Sequence, residues 1–141
     1  VDHLLAIRDL QARCPEGKPG FLAFIPWIFR STGTRLEAEG TSTDFSPLEY
    51  IRIIAASRLI LNNIPNIQAS WLTVGRQTAQ AALHSGANDM GSIMIEENVV
   101  SSAGAHNRFD AEGIRKAIRE AGFTPRLRDQ LYGMREYAPQ A

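Results

Sequence analysis

The sequence predicts an α/β fold in which about three parallel strands alternate with helices. A continuous apolar run of strand length occurs at residues 20–27, and such runs are typical of strands that are covered on both faces. A short apolar run at residues 67–72 indicates a second strand. Between residues 67 and 95 the pattern changes from strand to helix and back to strand, as in a βαβ unit. This alternation favours a parallel sheet over an antiparallel one.

The first half of the chain is predicted to contain a helix, a strand, a long loop and a second helix. The helical pattern opens directly at Val1 and ends at the breaker CPEG, residues 14–17, and residues 20–27 follow as the first buried strand. Residues 30–44 lack apolar periodicity and predict a long loop. Ser46, Pro47 and Glu49 then form a capping box with proline at the first helical position, which predicts a helix over residues 48–61.

The second strand, at 67–72, is followed by an alanine-rich helix at 75–83, for which Gly86 is the expected left-handed cap. Residues 90–95 are predicted to form the third strand. Three strands are too few to close a barrel. The pattern therefore allows either a doubly wound sheet or a barrel that is completed by strands outside this chain.

A further helix is predicted to begin at Asp110 and to end at Gly122. Its inner face is expected to carry Ile114, Ala117, Ile118 and Ala121. The arginine-containing tail, residues 125–137, is predicted to form a short last helix.

Composition excludes several classes of function. The 141 residues contain 15 basic and 15 acidic side chains, so no net charge favours nucleic acid or an anionic membrane surface, and neither partner is expected. No stretch approaches the roughly 20 apolar residues of a membrane span, so a cytoplasmic location is expected. Cys14 is the one cysteine, which excludes an internal disulfide or a cysteine cage for zinc or iron and sulfur within one copy. The abrupt start at Val1 predicts a truncated beginning.

Polar side chains on the second strand are candidates for ligand binding. Period two places Gln68 and Ser70 on one face, opposite Ile67 and Ala69. In a barrel this polar face would point to the interior, where a polar ligand can use it. The alternative is two polar groups that are hydrogen-bonded within a core.

Two adjacent carboxylates follow the third predicted strand. Because parallel sheets bind ligands at the carboxyl ends of their strands, Glu96 and Glu97 are candidates for binding a ribose hydroxyl or for proton transfer. The alternative is a pair of solvated loop glutamates. Ser92 shares a face with Glu96. Trp27 and Trp71 lie at strand ends, where they either form a wall of a pocket or belong to the core.

Three phrases resemble the carboxyl-terminal half of the cyclic dehypoxanthinyl futalosine synthases: FIPW at 24–27, NIPNIQASW at 63–71 and GANDMGSIMIEENVVSSAGA at 86–105. These are radical S-adenosylmethionine enzymes, of the oxidoreductase class, in the futalosine pathway of menaquinone biosynthesis. Aminofutalosine and deazaflavin (FO) synthases share the GAND-like turn and the paired glutamates. They differ around residues 70–71 and 98–99, which favours the cyclase.

The resemblance implies that residues 1–141 are the C-terminal portion of a TIM-type (β/α) barrel. It also implies S-adenosylmethionine and a 4Fe-4S cluster as cofactors, an electron donor for the cluster, and dehypoxanthine futalosine as the substrate. The CxxxCxxC motif that would hold the cluster is absent from the chain, so no metal ligand is carried over and the isolated chain is expected to be inactive.

The resemblance carries five residues over as site candidates. Glu96 is the candidate for the catalytic role, by ribose contact or proton removal. Gln68, Ser70, Trp71 and Glu97 are candidates for binding substrate or S-adenosylmethionine. An alternative function is a noncatalytic half-barrel that binds a second copy or another chain, because open sheet edges favour self-association.

Overall fold

The structure, a computed structural model, describes residues 1–29, 34–40, 46–93 and 110–136. The helices in these ranges are α1 (Asp2–Ala12), α2 (Arg35–Ala38), α3 (Pro47–Ile60), α4 (Trp71–Val74), α5 (Arg76–His84) and α6 (Ala111–Glu120). The strands are short: β1 (Ala23–Phe24), β2 (Asn66–Ile67), β3 (Leu127–Arg128) and β4 (Met134–Arg135). None of the helices in the described ranges is long and apolar enough to span a membrane.

Three consecutive segments of the chain run parallel to one another. β1 pairs with β2, with Ala23 opposite Asn66 and Phe24 opposite Ile67. On the other side of β2, Gln68 forms a parallel bridge with Asp89, and the Ala69 N–H donates to the Asp89 carbonyl oxygen at 2.8 Å. The α/β class with parallel pairing is therefore confirmed.

The capping box of α3 forms as predicted. The Ser46 hydroxyl accepts a hydrogen bond from the Glu49 N–H at 3.2 Å, and the Glu49 carboxylate accepts one from the Ser46 N–H at 3.0 Å. Pro47 occupies the first helical position, where its missing N–H has no cost. The helix begun in this way buries Tyr50 and Ile54.

The core lies between the parallel segments and helices α3, α5 and α6. Ile67 and Ala69 are fully buried, which confirms the predicted apolar face of the second strand. Helix α5 contributes Ala79 and Ala82, whose small side chains allow a close approach. The predicted inner face of α6 is also buried, through Ile114 and Ala117, and Asp110 caps that helix by accepting from the Gly113 N–H at 2.7 Å. This core fixes the strand ends that bear the candidate site.

A polar joint, made by Arg58, Gly86 and Asn88, connects the amino ends of the second and third parallel segments. Arg58 donates to the Gly86 carbonyl oxygen at 2.7 Å and to Asn88 Oδ1 at 3.0 Å. Asn88 Oδ1 also accepts from the Ile67 N–H at 2.8 Å. Gly86 has a φ of 121°, and a β-carbon there would lie 2.7 Å from the Arg58 β-carbon. The glycine predicted as a cap is therefore required for close packing as well.

The second predicted strand ends earlier than expected. Residues 71 and 72 belong to helix α4, which begins at Trp71, and not to a strand. The Ser70 N–H donates to the Tyr50 hydroxyl at 2.7 Å and so leaves the sheet, while the Ser70 carbonyl oxygen accepts from the Val74 N–H within the new helix. The third strand is likewise limited to the Asp89 bridge, and residues 94–95 of that prediction lie outside the described residues.

The predicted last helix is wrong, since residues 127–135 form an antiparallel hairpin of β3 and β4. The Asp129 carboxylate accepts from the N–H groups of Leu131 and Gly133, which stabilises the turn. An ion pair of 2.6 Å between Arg128 and Asp89 fixes this hairpin beside the parallel segments. The predicted loop at 30–44 also contains one turn of helix, α2, capped by Thr34.

Candidate functional site

A small cavity lies at the carboxyl ends of the parallel segments. It encloses about 70 Å³ and is lined by residues that follow β1, β2 and the Asp89 bridge: Trp27, Gln68, Ser70, Trp71, Leu72, Thr73 and Ser92. This is the end of a parallel sheet at which ligands bind. The lining is mixed, with indole rings beside amide and hydroxyl groups, which suits a ring-bearing polar molecule.

Ser70 is held by two neighbours that the sequence did not identify as site residues. Its N–H donates to the hydroxyl of Tyr50, which is 1% exposed, and Thr73 Oγ1 lies 3.0 Å from Ser70 Oγ. The local signal for Thr73 is its spacing, because residues i and i+3 meet at the start of a helix. Tyr50 carries no such signal, since it lies 20 residues from Ser70. Together these contacts fix the orientation of the Ser70 hydroxyl.

Gln68 lies against the backbone of the third segment. A β-carbon on Gly91 would come within 2.6 Å of Gln68 Nε2, so the amide of Gln68 rests directly on that glycine. Gly91 has a φ of 76°, a conformation that glycine adopts without strain. Ser92 follows at once and is exposed at the rim of the cavity. Two adjacent segments thus place an amide and a hydroxyl at one opening.

The structure brings three of the five predicted site residues together. Gln68, Ser70 and Trp71 all line the cavity, with Ser70 and Trp71 buried and Gln68 half-buried. Glu96 and Glu97 lie outside the described residues. Of the two tryptophans, Trp71 is also part of the core, whereas Trp27 is 69% exposed and lines only the cavity.

The described lining of this cavity contains no ionisable side chain. The nearest titratable contact is Tyr50, whose pKa is raised because burial disfavours the phenolate, although the hydrogen bond from the Ser70 N–H partly opposes this shift. Tyr50 therefore stays neutral at physiological pH. This part of the site can bind and orient a polar ligand, and a proton-transfer group would have to come from another part of the protein.

A second, larger cavity of about 480 Å³ adjoins the first, and Ser92 lines both. Its wall includes a cluster that we call the Asp89 clamp, made of Asp89, Arg128 and Tyr132. Asp89 Oδ2 accepts from Arg128 Nη2 at 2.6 Å, from Arg128 Nε at 3.0 Å and from the Tyr132 hydroxyl at 3.0 Å. The Arg128 guanidinium also lies 4.0 Å from the centre of the Tyr132 ring.

The clamp perturbs the two side chains that bind Asp89. Burial and the adjacent Asp89 carboxylate raise the pKa of Tyr132 to about 12. Burial alone would lower the pKa of Arg128, but the hydrogen bonds and charge of Asp89, together with Tyr132 and Asp129, more than offset this effect and raise the pKa. Sequence reasoning missed the clamp because 39 residues separate Arg128 from Asp89.

The residues present do not fit an iron–sulfur cluster. Cys14 is the only cysteine of the chain, and its thiol lies 3.6 Å from the Lys18 carbonyl oxygen, beside α1. Within the described ranges, no three His, Cys, Asp or Glu side chains come together as a metal site. A cavity of about 70 Å³ also cannot enclose S-adenosylmethionine, since pockets for such ligands span roughly 300–1,000 Å³. The small cavity alone is therefore too small for this ligand, whereas the adjoining cavity of about 480 Å³ falls within that range.

Comparison with known proteins places the chain in a family. Residues 18–141 match the family model "CofH/MqnC C-terminal region". The chain is 46% identical over 132 residues to the cyclic dehypoxanthine futalosine synthase of Streptomyces coelicolor, covering 94% of this chain and 31% of that protein. It is 41% identical over 130 residues to the synthase of the same name from Halalkalibacterium halodurans, covering 92% of this chain and 33% of that protein.

A relative with a different name is also similar. The 5-amino-6-(D-ribitylamino)uracil–L-tyrosine 4-hydroxyphenyl transferase of Methanopyrus kandleri is 39% identical over 136 residues, covering 94% of this chain and 36% of that protein. The chain thus spans about a third of the length of the curated relatives it matches. All three relatives are enzymes by name, and the match to each runs through nearly the whole chain. The chain therefore belongs to the CofH/MqnC C-terminal region family.

Proposed function

We propose that this chain is the C-terminal, substrate-binding part of a longer radical S-adenosylmethionine enzyme that cyclises dehypoxanthine futalosine in menaquinone biosynthesis. One observation carries the proposal: Gln68, Ser70 and Trp71 meet at the carboxyl ends of parallel segments, in a chain 46% identical to a cyclic dehypoxanthine futalosine synthase. The 4Fe-4S cluster and its electron donor would be bound by a part of the longer protein outside these residues. The barrel that the resemblance implies is part of the same proposal.

The described residues support a role in binding and orientation. Gln68 offers an amide that both donates and accepts, and Ser70 offers a hydroxyl with Thr73 beside it. Trp71 and Trp27 provide indole surface against which a ring can pack. A radical cyclisation requires that the reactant is held in one orientation and that competing hydrogen donors are kept away from the radical.

Glu96 is proposed to contact the ribose-derived part of the substrate or to remove a proton, and Glu97 to assist binding. Both assignments rest on the sequence alone. Replacing Glu96 by Gln keeps the shape of the side chain and removes its charge. In the longer protein, Glu96→Gln is expected to lower turnover or substrate affinity, and unchanged values of both would refute the assignment.

The binding role of Gln68 has a matched test in the same protein. Gln68→Met removes the amide at nearly constant length, and Gln77→Met makes the same change on the exposed side of α5, away from the cavity. We expect Gln68→Met to raise the KM for dehypoxanthine futalosine roughly tenfold, the effect of one lost hydrogen bond. Gln77→Met should leave it unchanged. Equal effects of the two variants would contradict the proposal.

A related reaction is the second candidate. The 39% identity to a 5-amino-6-(D-ribitylamino)uracil–L-tyrosine 4-hydroxyphenyl transferase favours it specifically. The longer protein, loaded with its cluster and S-adenosylmethionine, should be incubated with dehypoxanthine futalosine or with the aminouracil and tyrosine. Mass spectrometry of the products then distinguishes the two. A product with the same number of carbons as dehypoxanthine futalosine and two hydrogens fewer supports the first candidate, and a coupled product supports the second.

A noncatalytic module that self-associates is the third candidate, and the surface around β1 favours it. Phe21, Ile25 and Trp27 alternate along this segment and are 41%, 41% and 69% exposed. In the described part of the chain β1 pairs with β2 alone, so its other edge is open. Sedimentation of the chain is expected to show a dimer that Ile25→Lys abolishes, whereas the control Leu59→Lys, at an exposed position of α3, retains it. A monomer at all concentrations would exclude this candidate.

A further inference from the structure

The Asp89 carboxylate connects the C-terminal hairpin to the small cavity. Oδ2 binds Arg128 and Tyr132 of the hairpin, while Oδ1 accepts from the Gly91 N–H at 2.9 Å. The side chain of Asp89 is 10% exposed and that of Arg128 is 22% exposed. At such low exposure water cannot readily replace a lost partner, so each oxygen of Asp89 depends on its protein donors.

Gly91 connects Asp89 with the Gln68 amide at the cavity. Its N–H is fixed by Asp89, and its α-carbon faces the Gln68 amide so closely that a methyl group there would lie 2.6 Å from Gln68 Nε2. The main chain supports the same geometry, because the Asp89 carbonyl oxygen accepts from the Ala69 N–H. A shift of Gly91 would therefore displace the Gln68 amide and carry Ser92 with it.

We propose that Asp89 is a positioning residue, which fixes the Gln68 amide and Ser92 at the cavity through Gly91, and that Arg128 and Tyr132 of the hairpin hold Asp89 in this role. The hairpin thus acts on the site without touching it. The effect on a substrate rests on the proposed function, whereas the effect on Gln68 does not.

Asp89→Asn is the informative variant. It keeps the shape of the side chain, but its NH₂ group must face a donor whichever way the amide turns, either Gly91 N–H or the Arg128 guanidinium. Asp129→Asn is the matched control, since it makes the same change in the turn of the hairpin. Among the described residues, the Asp129 carboxylate accepts only from the N–H groups of Leu131 and Gly133, while its carbonyl oxygen accepts from Arg128. The variant therefore perturbs the turn while every donor to the Asp89 carboxylate remains.

The first measurement uses the ¹⁵N-labelled 141-residue chain and needs no ligand. The side-chain amide signals of Gln68 are assigned by their absence in Gln68→Met. We expect Asp89→Asn to shift these signals and the Gly91 N–H signal, and Asp129→Asn to leave them in place. Unmoved Gln68 signals in folded Asp89→Asn would overturn the proposal, and so would equal shifts in both variants. If Asp89→Asn fails to fold, Tyr132→Phe removes one hydrogen bond to Asp89 and is judged by the same criteria.

The second measurement is steady-state kinetics of the longer protein with dehypoxanthine futalosine. A misplaced binding group raises KM, whereas partial unfolding lowers the active fraction and therefore the apparent kcat. Asp89→Asn is expected to raise KM roughly tenfold, as the loss of a charge-assisted hydrogen bond would. A lowered kcat at constant KM would show a merely structural role. If the wild-type protein does not turn over this compound, the proposed function fails, and the ¹⁵N result still decides the position of Gln68.

Discussion

The buried hydrogen bond between Tyr50 and Ser70 gives the sharpest test of how the cavity is built. Tyr50 is 1% exposed and its hydroxyl accepts from the Ser70 N–H at 2.7 Å. Tyr50→Phe removes that oxygen and keeps the ring, so packing in the core changes little. The Ser70 N–H then lies in a region where Ser70 itself is only 5% exposed, and water has poor access to it.

The expected loss of stability in Tyr50→Phe depends on the Ser70 N–H, which is left without its acceptor. A buried N–H that loses its acceptor costs about 1–3 kcal/mol, whereas a hydrogen bond that water can replace costs about 1 kcal/mol or less. At about 2 kcal/mol, and with roughly 2–4 °C per kcal/mol for a domain of this size class, the melting temperature should fall by roughly 4–8 °C. The start of α4 at Trp71 should also loosen, because Ser70 is its capping position.

Urea unfolding of the 141-residue chain, followed by circular dichroism, measures this cost. The midpoint should fall while the slope against urea stays constant, since the surface exposed on unfolding does not change. Tyr132→Phe is the control, because Tyr132 is only half-buried and Asp89 keeps both bonds from Arg128. A loss below about 0.5 kcal/mol for Tyr50→Phe would be typical of a surface substitution and would refute the reasoning.

Three further predictions concern stability. Gly86→Ala should lower the melting temperature clearly more than Gly17→Ala does. Both glycines have positive φ, but only Gly86 has a neighbour, Arg58, 2.7 Å from an added β-carbon. Equal losses would contradict the close packing. Ser46→Ala should cost about 1 kcal/mol in urea unfolding by removing the N-cap of α3, and no loss would mean that the capping box contributes nothing. The pKa of Tyr132, about 12 against its ordinary 10.0, is raised in the folded state, so stability is retained below pH 10 and falls as pH rises toward 12. Tyr132→Phe should reduce this alkaline loss, and an unchanged pH profile would be evidence against the shift.

Local signals in the sequence predicted much of the fold. The capping box at Ser46, the cap at Asp110 and the alternation of Ile67 with Gln68 all depend on neighbours within four residues, and each is observed. Contacts between distant segments decided the rest. Trp71 leaves the strand because Tyr50, 20 residues away, takes the Ser70 N–H out of the sheet. Propensity alone gives no weight to such a contact.

The candidate site was also predicted where local signals decide it and missed where distant contacts do. Period two placed Gln68 and Ser70 on one face, and both line the cavity. In the Asp89 clamp, Arg128 and Tyr132 lie 39 and 43 positions from Asp89. Nothing in the sequence around Arg128 indicates which carboxylate it binds. The location of the hairpin was missed for the same reason, because it depends on the ion pair of Arg128 with Asp89. The contacts of Asp129 in the turn are local, and they were overlooked when residues 125–137 were predicted to be helical.

The polar joint of Arg58, Gly86 and Asn88 has a consequence for engineering this domain. The joint lies at the amino ends of the second and third parallel segments and the cavity lies at their carboxyl ends, so the side chains of the joint are separate from those that face a ligand. Positions such as Ser92 can therefore be randomised to alter ligand preference while the register is preserved. A library that varies Asn88 would instead lose folded members before any selection for binding begins.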